Sequence, residues 1–249
     1  MMAENRVLDD ELVALLRQAQ RVVALTGAGI SAESGVPTFR DAQQGLWAEY
    51  DPMELATPEG FARNPLRVWE WYAMRRAQVA KVQPNAGHYA LAQWAARRPG
   101  LTVVTQNVDG LHQRAGSDRV IELHGNITRV RCAAGHGPVA EWQEKAGEVP
   151  RCCQCDAYLR PDVVWFGELL PAAALASAEQ AVAAADLVLS IGTSSLVQPA
   201  ASLPYLALGA GVPVVEINPE QTPLSADARF SLRGKAGELL PALVACIGD

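Results

Sequence analysis

Apolar positions along the chain repeat in two ways. Residues 9–20, DDELVALLRQAQ, carry leucines at helical spacing behind leading acids. That pattern predicts an amphipathic helix whose first turn is favoured by negative charge. VVAL follows as a short continuous apolar run, and LTVVTQN, DLVLSIGTS and VPVVEINP repeat that style later. Alanine-rich stretches at 85–98, 172–185 and 199–208 carry helical patterning between or after these runs. Short Val/Ile/Leu runs alternating with helices predict an α/β fold, a Rossmann-like parallel sheet with helices on both faces. Open sheets of this kind bind ligands past the carboxyl ends of their strands, where the motifs of this chain fall.

Two stretches break the alternation. Residues 40–84 are rich in aromatics and prolines, with helix signals and no clear strand; residues 127–160 are short, polar and cysteine-bearing. Both are assigned to a small inserted lobe, leaving 1–39, 85–126 and 161–249 for the sheet domain. Asn64-Pro65 is a helix start, an N-cap followed by proline at N1. Just beyond it, WEWYAMRRAQV (69–79) places Trp69, Tyr72 and Arg76 on one helical stripe, with Arg75 one turn after Tyr72. The stripe reads either as a solvated basic face or as a device that holds something negative. Trp69 is expected to pack the small lobe and Arg76 to stay in water.

The chain has 249 residues, 49% hydrophobic and 19% charged, which suits one globular domain with a small insert. A net charge of −6 gives no electrostatic reason for a nucleic-acid or anionic-membrane partner. MMAENRVLDDELV lacks the basic and apolar regions of a secretory signal, and no apolar run is long enough for a bilayer. Five cysteines, three of them in CCQC, do not resemble a secreted disulfide framework. A reduced cytoplasmic protein with a possible metal site is the expectation.

TGAGISAES fits G-x-G-x-x-A through Gly27, Gly29 and Ala32. Glycines there let backbone N–H groups, including that of Ala28, approach a pyrophosphate; the plain alternative is an ordinary strand-to-helix turn. A dehydrogenase would follow with a second strand ending in an acid about 20 residues on. Here that region reads PTFRDAQQGLWAEYDP, with no β-run, so a long loop with Phe39, Arg40 and Trp47 closing over a nucleotide fits better.

GAGISAESGVPTFR, TQNVDGLH, ELHGN, RPDVVWFGE and IGTS occur in this order along the chain. Together they resemble the sirtuins, NAD-dependent protein-lysine deacylases, over roughly residues 20 to 240. The resemblance implies a Rossmann-type domain with a small helical and zinc-ribbon lobe, and acyl-lysine proteins or peptides as partners. It implies that the acyl oxygen attacks C1′ of the NAD ribose, giving free lysine, nicotinamide and O-acyl-ADP-ribose.

A neutral histidine suits the proton removal this chemistry needs, and His124 matches the family's base. The resemblance assigns Gln106, Asn107 and Asp109 to the ribose, the nicotinamide pocket and a catalytic water. It assigns Arg40 to phosphate or charge near the ribose, with Ser31 also against the cofactor. Gly192, Thr193 and Ser194 would offer N–H and hydroxyl groups to phosphate, and Asn218 and Ala236 match the adenosine side. Val163, Val164, Trp165 and Phe166 form an extended apolar segment to which a peptide could add as a strand. Val164 and Phe166 would then wall the lysine tunnel, while a buried core strand remains the alternative and alternate residues could satisfy both.

Family zinc sites use two C-x-x-C pairs. Cys152 and Cys155 supply the second, but the first is incomplete: Cys132 is followed by AAGHG, with Gly135 where the second cysteine belongs. His136 could complete a structural Cys₃His site, or the lobe could fold without metal. Tyr72 and Arg75 match a Y-x-x-R pair that marks sirtuins removing succinyl and malonyl groups, and Thr38 points the same way. An arginine fork grips a carboxylate bidentately and a tyrosine adds a donor, whereas acetyl-lysine would leave the arginine unpaired. An NAD-consuming ADP-ribosyltransferase and a non-catalytic NAD-binding module on the same scaffold remain the alternatives.

Overall fold

The computed structural model describes residues 9–37 and 51–248. Helix α1 (Asp10–Gln18) is capped by Asp9, whose carboxylate accepts the Glu11 N–H. It leads into β1 (Val22–Thr26). Next come α2 (Pro52–Leu55), α3 (Pro58–Arg63), α4 (Pro65–Lys81) and α5 (Ala86–Arg97). Asn64 caps α4, accepting the Arg67 N–H with Pro65 at N1, as the sequence predicts. Then follow β2 (Leu101–Thr105), α6 (Leu111–Arg114), β3 (Val120–Glu122), β4 (Gly125–Cys132), β5 (Pro138–Val139) and β6 (Leu159–Val163). The chain continues with α7 (Ala172–Ala183), β7 (Leu187–Ile191), α8 (Leu203–Gly209), β8 (Val214–Ile217), β9 (Phe230–Leu232) and α9 (Ala236–Cys246).

Six parallel strands form the main sheet in the order β3-β2-β1-β7-β8-β9. Alternation along β1 splits the core in two. Val22 and Ala24 join Leu12, Leu91, Trp94, Leu240 and Leu243, under α1, α5 and α9. Val23 and Leu25 join Ala178, Val182, Leu203 and Ala207, under α7 and α8. The α/β expectation is met, with the edge strands β3 and β9 added. The direction of strand addition reverses between β1 and β7, which places a ligand crevice at their carboxyl ends.

A second, antiparallel sheet, β5-β4-β6, runs between Gly125 and Val163 and packs on α4. Trp69 is buried in it beside Val130, Cys132, Cys152 and Leu159. Arg76 departs from its expected place in water: it is buried, its guanidinium 4.7 Å from the Trp69 ring and 5.0 Å from the Trp142 ring. Its Nη2 meets Glu144 at 2.5 Å. Two indole faces and one acid stabilise a cation where the helical pattern alone showed only a basic position. Among the described residues no helix is long and apolar enough to cross a membrane.

Candidate active site

The polar residues of the motifs converge at the carboxyl ends of β1, β2, β3 and β7. The Ser31 hydroxyl donates to Asp109 Oδ2 at 2.7 Å, and Asn107 Nδ2 donates to Ser31 Oγ at 3.1 Å and to the Gly27 carbonyl at 3.0 Å. Asp109 also accepts the Leu111 N–H, which fixes both carboxylate oxygens; burial nonetheless raises its pKa. Gln106 Nε2 donates to Thr193 Oγ1, and Asn218 Nδ2 donates to the Thr193 carbonyl, so β2, β7 and β8 are tied together at one end of the sheet. Ala236 is buried at the start of α9, against Gly87.

His124 follows β3, half-buried, with Nδ1 2.9 Å from the Gln106 carbonyl. A carbonyl only accepts, so Nδ1 carries the proton and Nε2 keeps its lone pair. Burial lowers the pKa, against the raising effect of that hydrogen bond, so the ring is neutral at pH 7. A neutral imidazole with a defined basic nitrogen is what proton abstraction requires.

The glycines of the loop pack backbone against backbone. Gly27 N–H donates to Ile191 O and Gly29 N–H donates to Gly192 O at 2.8 Å. A Cβ on Gly29 would sit 2.7 Å from the Gly192 backbone. These glycines let two strand-end loops touch, and two 3₁₀ turns, Ala28–Ile30 and Ala32–Ser34, stand where a helix was expected. Gly192 N–H is likewise taken, by Ile217 O. Its positive φ of 58° and close approach to the Gly29 backbone are its contribution. Ser195, next to the expected Ser194, has a positive φ of 55° and a buried hydroxyl with no partner among the described residues. An orphaned hydroxyl at the switch point fits a polar ligand. Phe39, Arg40, Trp47 and Thr38 lie outside the described residues.

Sequence reasoning also missed the support behind Ser31. His88 and His112 are fully buried with ring centroids 4.9 Å apart. His88 Nδ1 accepts the Asn85 N–H, which turns Nε2–H toward Ser31 Oγ at 3.4 Å. His112 Nε2 meets Thr26 Oγ1 at 2.9 Å. Burial holds His88 down at about 4 and His112 at about 3, the latter helped by His88. The available signal was that they are two of only four histidines, His88 in a segment of helical pattern and His112 at the end of TQNVDGLH.

The 163–166 segment is a strand only through Val163 and then turns. Val163 and Trp165 are buried, while Val164 is half-buried and Phe166 is 46% exposed, so alternate residues do face opposite ways. The Val164 N–H donates to the His124 carbonyl and the Phe166 N–H to the Ala56 carbonyl, both at 2.9 Å. The segment is thereby joined to the histidine on one side and to α2 on the other. Tyr72 is buried in an aromatic cluster with Phe61, Trp71 and Trp165. Burial pushes its hydroxyl up to about 12. Arg75, half-buried, lies 5.2 Å over the Trp71 ring, and burial lowers its pKa. Among the described residues no carboxylate pairs with it.

Cys132, His136, Cys152 and Cys155 bring their ligand atoms within 4.8 Å of one another. Cys132 Sγ is 3.6 Å from Cys155 Sγ and 3.7 Å from His136 Nδ1. Tetrahedral zinc with Zn–S near 2.3 Å has ligand–ligand edges of about 3.8 Å, so the Cys₃His set can hold it. Cys153 is exposed and outside the cluster.

Known proteins resemble this chain over most of its length. The Sir2 family model matches residues 27–199. The chain is similar to the NAD-dependent protein deacylase of Methylococcus capsulatus, 50% identical over 94% of this chain and 95% of that one. Its fold superposes on a crystal structure of a Sir2 homologue–NAD complex with TM-score 0.90, at 47% identity, covering 97% and 94% of the two chains. A Sir2–p53 peptide–NAD⁺ structure gives TM-score 0.82 at 31% identity, over 95% and 97%.

Proposed function

We propose, for a chain that belongs to the Sir2 family and is an NAD-dependent protein deacylase, that its preferred substrates carry succinyl or malonyl groups on lysine. Arg75 carries this reading. A half-buried guanidinium beside a buried tyrosine hydroxyl, with no carboxylate partner among the described residues, is costly unless a ligand supplies the negative charge. An acetyl group brings none. NAD supplies the electrophilic ribose carbon that takes the acyl oxygen as nicotinamide leaves. His124 Nε2 removes the ribose hydroxyl proton, its tautomer set by the Gln106 carbonyl. Asn107 and Asp109, ordered through Ser31, orient the ribose and a water. Val164 and Phe166, turned outward from the core, wall the acyl-lysine chain. The products are free lysine, nicotinamide and O-acyl-ADP-ribose.

The test is kcat/KM on one peptide bearing acetyl, malonyl or succinyl lysine, with mass spectrometry reading acyl loss and O-acyl-ADP-ribose. Tyr72→Phe and Arg75→Met are expected to lose about tenfold to a hundredfold on the dicarboxylic substrates and little on acetyl. Equal losses on all three would sink the acyl preference.

A further inference from the structure

We propose that Trp165 is a positioning residue for acyl recognition: its indole N–H occupies the acceptor side of the Tyr72 hydroxyl, leaving that hydroxyl only its proton to offer a substrate carboxylate. The inference rests on the dicarboxylic reading above and assigns its discrimination to a residue outside the Y-x-x-R pair.

Trp165 Nε1 donates to Tyr72 Oη at 2.9 Å, with both groups buried. An indole N–H can only donate, whereas a phenol both donates and accepts. Conjugation keeps the phenolic proton near the ring plane, where it has two places to point. With Trp165 aimed at one, the proton points to the other. An ionised carboxylate only accepts, so it matches a tyrosine held as a donor. Were Trp165 absent, the hydroxyl could turn and satisfy itself elsewhere, and its selectivity would weaken. Burial keeps Tyr72 protonated at neutral pH, which preserves the donor.

The indole is itself held in place. The Arg160 guanidinium lies 3.4 Å from the ring centroid. Arg160 Nη1 and Nη2 donate to the two carboxylate oxygens of Glu168 at 2.5 and 2.9 Å, and Nη2 also donates to the Val163 carbonyl. Glu168 Oε2 accepts the backbone N–H of Trp165 as well, at 2.8 Å. Phe61 packs against the ring, with centroids 5.3 Å apart. A cation over the indole face draws electron density from the ring and makes Nε1–H a stronger donor. Glu168, Arg160, Trp165 and Tyr72 thus form one chain running from the surface to the acyl-reading hydroxyl.

The experiment is a double-mutant cycle of Trp165→Phe and Tyr72→Phe, read as the succinyl-to-acetyl ratio of kcat/KM. Trp165→Phe is expected to lower that ratio about tenfold, chiefly through the succinyl KM, and to add nothing in the Tyr72→Phe background. An equal fall on both substrates, or the full tenfold persisting without the Tyr72 hydroxyl, overturns the proposal. A ratio that Tyr72→Phe moves and Trp165→Phe does not overturns the role of Trp165 alone. A ratio unmoved by Tyr72→Phe overturns the dicarboxylic reading beneath it. Should Trp165→Phe fold poorly, β-(3-benzothienyl)alanine at position 165 keeps the ring shape without the N–H and serves the same cycle.

Discussion

The strand-end cluster and the aromatic wall treat polar groups in opposite ways. Around Ser31, Asn107, Asp109, His88 and Gln106, hydrogen bonds pass from strand to strand, and neighbouring motifs hold one another's side chains. Around Tyr72 and Arg75 most neighbours are rings, and among the described residues the guanidinium has the Trp71 face and the Tyr72 hydroxyl near it but no carboxylate. A pre-satisfied network gives a rigid geometry and tolerates little change of ligand. A desolvated cation in an aromatic wall gives selectivity, because a ligand without the complementary charge leaves it unpaired. On the proposed reading, one site carries its chemistry in the first region and its substrate choice in the second.

The largest effect should come from the first region. His124→Ala is expected to lower kcat/KM about 10²- to 10⁴-fold on every acyl substrate alike, with the thermal transition little changed. A loss confined to one acyl class would erase the division between the regions. In the wild type the acid limb of kcat/KM should lie below pH 6.5, since burial lowers the His124 pKa.

The reverse signature belongs to the wall. Arg75→Glu should cost about a hundredfold or more on succinyl peptide, where it sets two carboxylates together, and little on acetyl. Deacetylation falling in parallel would show that Arg75 supports the fold rather than the choice.

Stability against pH probes the buried histidines. His88 and His112 titrate near 4 and 3 in the fold and near 6.5 when unfolded, so below 6.5 the unfolded chain binds more protons. Their contribution is complete above pH 6.5 and is lost as pH falls toward 4, on the order of a few kcal/mol. Asp109, raised by burial, acts oppositely once pH drops into its own range. Urea midpoints from pH 7 to 4 should show the loss, and His112→Gln should flatten it; an unchanged slope would mean that His112 is not the group titrating.

The smallest effect is expected at the Cys₃His cluster, which can hold zinc. His136→Cys should keep one zinc per chain and shift the melting temperature by only a few degrees, because a Cys₄ set is an equally good tetrahedral site. His136→Ala should lower the metal content measured by atomic absorption. Full retention by the alanine variant would remove His136 from the ligand set.

Much of the fold was legible because buried parallel strands read as continuous apolar runs, and each of the runs beginning VVAL, LTVV, DLVL and VPVV is a strand of the main sheet. Val120–Glu122 and Phe230–Leu232 escaped because three-residue edge strands are too short to show a period. Ser31, Asn107, Asp109 and His124 were legible as motif members. The packing of His88 behind Ser31 and of His112 against Thr26 was not, since a histidine in the sequence carries no sign of what it will face.

By itself the sequence determined the sheet class, the motif order, the Cys₃His inventory and the pairing of Tyr72 with Arg75 one helical turn apart. These are local properties of spacing and residue type. Tertiary structure decided that Arg76 is buried between Trp69 and Trp142, that the loop glycines serve backbone contact, and that Trp165 reaches Tyr72. Each of those facts joins residues far apart in the chain, and burial and hydrogen-bond direction arise only when distant segments meet.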